Sequence, residues 1–176
     1  GANLSGLAAT LNSSAQLDST GDVQLGDTAN LTHVDQINVI GTGTVTAHAS
    51  AVLGAGDYSV GVDATLSLTA AQANGLLASG LGDVVIQTNT FASITDLTAI
   101  DTDSLIFDDG VNPTTALIVD AGGTLILDAY RVGANAAVTA ITGAGVVSLR
   151  GLAADSDFSG VDAALDVTAG VNATVD

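Results

Sequence analysis

The sequence contains no cysteine, no methionine and no tryptophan, only one proline, and two basic residues against 19 acidic ones. Without cysteine there can be no disulfide, thiolate metal site or cysteine nucleophile, so stability must come from the core, from backbone pairing or from a hard cation. Two arginines cannot form a basic patch that displaces counterions from phosphates, which excludes a nucleic-acid partner. No uninterrupted apolar stretch reaches the roughly 18 residues that a membrane-spanning helix needs, and Gly1-Ala2-Asn3-Leu4 lacks the basic and apolar regions of a signal peptide.

Glutamate and lysine are also missing, so all 19 acids are aspartates and the formal charge is −17. Strong helix formers are therefore scarce, whereas Asp, Gly, Thr and Val favour turns and strands. The 47% of hydrophobic residues and mean hydropathy of +0.51 separate this chain from a disordered acidic tail. It is long enough for about one domain. It starts without Met and stops at Val175-Asp176 within a strand-like pattern. Residues 1–176 read as a single repeat-built β domain, a segment of a longer polypeptide.

Short strand-like phrases begin at Val23, Thr44, Thr65, Val84, Ser104, Thr124, Val146 and Ala164. Their starts recur with a near-constant period of about twenty residues, the mark of a repeat architecture. Gly and Asp precede most of them, as in Gly21-Asp22, Gly82-Asp83 and Gly143-Ala144-Gly145. A second phrase follows about half a period later, as at Leu31–Val34, Tyr58–Val60, Thr115–Val119, Val138–Ile141 and Phe158–Val161. Two strands and two turns per period predict an all-β fold, a parallel β-solenoid (β-helix) with coils of about 20 residues. Alternation places Leu66/Leu68, Leu105/Phe107, Leu125/Leu127, Val147/Leu149 and Leu165/Val167 inward, with Ser67, Ser148 and Asp166 opposite. Val84 and Ile86 are the inward pair of their phrase. Pro113 falls between phrases, where it interrupts no ladder. The alternative is a set of tandem β-sandwich modules, because Asp57–Ala70 resembles Asp157–Ala169, an offset that also suits one immunoglobulin-sized module. Further copies at Leu4–Leu11, and the parallel between Leu31–Asp35 and Leu97–Asp101, do not follow that offset.

The catalytic inventory is thin. His33 and His48 have no metal or triad spacing and read as turn or surface residues. Gly41-Thr42-Gly43 and Gly143-Ala144-Gly145 precede strands, so they read as corners and not as phosphate cradles. Tyr130-Arg131 beside Asp128 is the most enzyme-like group, and its bland reading is a surface ion pair with an apolar neighbour. The aspartates are more informative. With this period, Asp108 with Asp128, and Asp83 with Asp103, would stack one coil apart, about 4.8 Å. Like charges so close repel unless a cation lies between them. Asp101, Asp103, Asp108, Asp109 and Asp128 are the candidate ligands, and calcium is the natural ion for such oxygens outside a cell. The bland reading makes them Asx-turn formers at solvated corners.

Leu31–Val39 followed by Gly41–Thr46, and Leu66–Gly75, resemble the repeat regions of large secreted bacterial surface proteins, namely RTX-type S-layer proteins and giant repeat adhesins. The resemblance spans most of the chain and implies export from a Gram-negative cell, often by type I secretion, and a place on the cell surface. The intact Gly-Gly-x-Gly-x-Asp nonapeptide is absent, Leu53–Asp57 being the nearest approach, so tight calcium β-roll sites are not expected. The expected role is a non-enzymatic structural segment of an S-layer lattice, stalk or adhesin rod, whose partners are neighbouring repeats or copies of itself. A calcium- or glycan-binding adhesin module contacting a cell-surface glycan is the alternative, and a polysaccharide-active β-helix enzyme a second.

Overall fold

A computed structural model describes residues 2–3, 13–133, 136–152 and 158–167. They form parallel sheets stacked as a β-solenoid of about six turns. Parallel ladders replace the antiparallel pairing that a sandwich would require. The strands are β1 (Ala2–Asn3), β2 (Ser13–Ser19), β3 (Val23–Leu25), β4 (Val34–Gly41), β5 (Thr44–Ala47), β6 (Asp57–Val60), β7 (Thr65–Leu68) and β8 (Ala78–Ile86). After them come β9 (Thr90–Phe91), β10 (Ile94–Asp96), β11 (Ile100–Asp108), β12 (Pro113–Thr114), β13 (Ala116–Val119), β14 (Thr124–Asp128), β15 (Ala140–Arg150) and β16 (Val161–Val167). The helical pieces among the described residues are α1 (Ala70–Ala73) and a 3-10 turn at Ala129–Arg131. No helix among them is long and apolar enough to cross a membrane.

The chain divides into two compact units, 1–87 with 99–105, and 88–98 with 106–176. In the first, one ladder runs through Ala2, Val23, Val45, Leu66 and Val84, each in register with the next and about one sequence period from it. A second runs through Ala15, Ile37, Tyr58 and Ala78 with the same step. An isolated bridge between Asn30 and Val52 marks a further side of the coil. Parallel pairing sets residues of like position on top of one another, so the inward positions form columns. Leu25, Ala47, Leu68 and Ile86 make one, and Leu17, Val39 and Val60 another, all buried. Each fully buried Val, Leu or Ile contributes roughly 1.5–3 kcal/mol, and no single coil could close that interior alone.

The corner glycines have a steric cause. β8 pairs with β6 through residues 78–80 and with β7 through residues 83–86, so it must bend sharply between the two ladders. Gly80 makes the bend at φ +125, and a β-carbon there would lie 2.1 Å from the Val60 carbonyl oxygen. β15 repeats the device: Gly143, at φ +116, sits similarly close over the Val119 carbonyl. Gly-x-Gly before a strand is therefore a corner, as the sequence indicated.

In the second unit one ladder joins Ile94, Thr124, Val146 and Ala164, and another joins Phe91 to Val119 and Leu117 to Ile141 and Val161. The steps from Ile94 to Thr124 and from Phe91 to Val119 are both longer than the rest. β11 and an antiparallel hairpin with β12 take up the excess, Asp108 pairing with Pro113. Here the even spacing of sequence phrases misleads, since β14 stacks on β10 and not on the Ser104–Asp108 phrase. Pro113 lies in this short edge strand, where its missing N–H costs no ladder bond.

The inward pairs Leu66/Leu68, Val84/Ile86, Leu105/Phe107, Leu125/Leu127 and Val147/Leu149 are all buried. Ser67 and Ser148 alternate with them yet are also largely covered, and the Ser67 hydroxyl accepts a hydrogen bond from Gln87. The side chains of Leu165, Asp166 and Val167 and the phrase Leu4–Leu11 lie outside the described residues.

Candidate functional site

Two of the five candidate metal ligands, Asp108 and Asp109, do local work. Asp108 accepts the Gly110 N–H at 2.7 Å, and Asp109 accepts those of Val111 and Asn112 at 2.9 Å each. The Asn112 and then the Val111 backbone bonds hold the Asp109 carboxyl below its ordinary range. These are Asx turns that close the β11–β12 hairpin. Asp128 is half-buried and stands beside Arg150 in the ladder, not beside Asp108, so the expected Asp108–Asp128 column does not form. Asp101 and Asp103 are exposed on the part of β11 that belongs to the first unit. Among the described residues no group of three or more His, Cys, Asp or Glu side chains is placed to hold a metal ion.

His33 and His48 are exposed at turns, and His48 Nδ1 accepts the Ser50 N–H. Arg131 departs from the surface-pair reading. It is 4% exposed, and its guanidinium lies 5.0 Å from the centre of the exposed Tyr130 ring, a cation–π distance. The other aromatics are structural. Phe91 and Phe107 meet edge to face at 6.0 Å, and Tyr58 points inward and donates its hydroxyl to the Leu53 carbonyl. Burial pushes the Tyr58 phenol well above its ordinary range.

A different feature stands out on the first unit. An open cleft of about 380 Å³ is lined by Gln36 from β4, Asp57 and Ser59 from β6, Leu77, Ser79 from β8, and Asp101 from β11. Register explains the grouping. Gln36 is the ladder partner of Asp57, and Ser59 that of Ser79, so outward positions of successive coils stand about 4.8 Å apart. Every one of the five polar side chains is free of hydrogen bonds to the rest of the described chain. Asn30 and Asp96, by contrast, close corners by accepting the N–H groups of Thr32 and Thr98. Asp101 is the one member also singled out by the sequence. The signal for the rest was a polar residue recurring between apolar ones, one coil apart, in the second phrase of each unit. The lining offers carboxylates, an amide and hydroxyls, groups that accept and donate hydrogen bonds.

No family model, no curated protein and no solved structure matches this chain.

Proposed function

We propose that this chain is a structural segment of an extracellular repeat protein of the bacterial cell surface, an acidic rod or lattice tile without enzymatic activity. One observation supports this reading above others: backbone and core are both built by stacking like on like, and the stacking ends in strands able to continue it. β2 pairs with β4 alone and β16 with β15 alone among the described residues, each strand seven residues long. A parallel edge of that length accepts another coil, and pairing the β16 edge of one copy with the β2 edge of the next is a head-to-tail contact that propagates. In this reading calcium acts as a counter-ion that screens a charge of −17 between neighbours.

Light scattering of the purified chain tests the reading. Assembly is expected to grow with concentration and with added calcium, and to fall for Gln16→Pro in β2 or Asp166→Pro in β16, with circular dichroism unchanged. A chain that stays monomeric at all concentrations, or proline variants that assemble like the parent, would overturn it.

A further inference from the structure

We infer that the cleft on the first unit binds an amino sugar, a ligand of one or two pyranose rings that carries a protonated amine. This goes beyond the rod or tile role and does not depend on end-to-end assembly. Three observations carry it.

The first is the idle hydrogen-bonding capacity. Gln36, Asp57, Ser59, Ser79 and Asp101 line one concavity, make no side-chain hydrogen bonds among the described residues, and are open to solvent, Ser59 in part. Carboxylate, amide and hydroxyl groups set on a ladder grid can accept from and donate to a set of ring hydroxyls at once.

The second is charge. Asp57 and Asp101 both line the cleft, and the only Lys or Arg residues of the entire chain, Arg131 and Arg150, belong to the other unit. No cationic side chain of the first unit can therefore neutralise these carboxylates, and a ligand ammonium would form charge-assisted hydrogen bonds with them. The same carboxylates exclude uronic acids and other anionic sugars by like-charge repulsion.

The third is shape. A volume of about 380 Å³ is at the small end of the ligand-site range of roughly 300–1,000 Å³, which suits a mono- or disaccharide. Leu77, 51% exposed at the cleft, offers an apolar surface for the C–H face of a ring. Its neighbour Tyr58 turns its ring into the core, so contact here is by hydrogen bonds and aliphatic surface, without aromatic stacking.

The probes are the fully deacetylated glucosamine disaccharide, its di-N-acetylated form, a galacturonic acid disaccharide and calcium chloride, each titrated into the whole chain while backbone amide NMR shifts are followed. The deacetylated sugar is expected to move the amides of Gln36, Asp57, Ser59, Ser79 and Asp101 at millimolar concentration, and added salt to weaken it. Acetylation, Asp57→Asn or Asp101→Asn should each weaken binding about tenfold, as the loss of one charge-assisted bond predicts, while Thr46→Ala on the other ladder leaves it unchanged. The inference is overturned if the deacetylated sugar moves none of these amides, if the acetylated or uronic acid sugar binds as well, or if calcium alone moves them. The comparison of sugars needs no variant, so it decides even if a substitution disturbs folding.

Discussion

Gly80 lies so close over Val60 that any β-carbon on it would sit 2.1 Å from the Val60 carbonyl oxygen. The contact joins one coil to the next at a bend, and it fixes the residue type twice, through space and through φ +125. Gly80→Ala should lower unfolding free energy by at least about 2 kcal/mol, since positive-φ strain and a backbone clash combine. Gly75, at φ +70 with open space around it, is the control, and its alanine variant should cost about 1 kcal/mol. Urea melts of the two variants check this. Equal losses would show that the close approach to Val60 carries no weight.

Tyr58 is buried and its hydroxyl is spent on the Leu53 carbonyl. Tyr58→Phe should cost about 1–2 kcal/mol at neutral pH, because the Leu53 oxygen loses its donor. The phenol is raised in the folded state, so its contribution is complete below the unfolded value of about 10 and is lost as pH rises beyond it. Stability measured into the alkaline range should fall for the parent chain, and less steeply for Tyr58→Phe.

Gln72 ties two coils together. Its Nε2 donates to the carbonyls of His48 and Ala51 at 2.8 and 3.0 Å, while its Oε1 accepts the Thr69 N–H in a capping box at the start of α1. Gln72→Ala should cost about 2 kcal/mol. Glu also serves in capping boxes, but it has no donor for the two carbonyls, so Gln72→Glu should be at least as destabilising in a thermal melt. A neutral Gln72→Glu would mean that capping alone matters.

Asp109 organises the tip of the β11–β12 hairpin through bonds to Asn112 and Val111. Its carboxyl is depressed by those bonds, so the tip is fully held above the ordinary carboxylate value of about 3.9 and is released as pH falls through the lower folded value. Hydrogen exchange at the Val111 and Asn112 amides should accelerate in that acid range. In Asp109→Asn, whose side-chain oxygen still accepts but does not titrate, the acceleration should disappear.

The coil and its inside were legible in the residues alone. Alternation in short phrases is a local property, and in a parallel stack each coil meets a copy of its own pattern, so Leu66/Leu68 or Leu125/Leu127 could be assigned inward without knowing the neighbour. The Gly-x-Gly corners were legible for the same reason. Which coil lies on which is a property of the folded chain. The spacing of Ser104 and Thr124 looks like one more period, yet Thr124 pairs with Ile94 across one and a half periods, because β11 pairs with β8 and then turns into its hairpin with β12 before the chain reaches Thr124. That change separated Asp108 from Asp128 and put Asp108 and Asp109 to work within one turn. The cleft also depended on register. Gln36, Asp57, Ser59 and Ser79 are scattered over three strands, and they share a surface only because the one-coil step of the ladder brings outward positions of successive coils side by side.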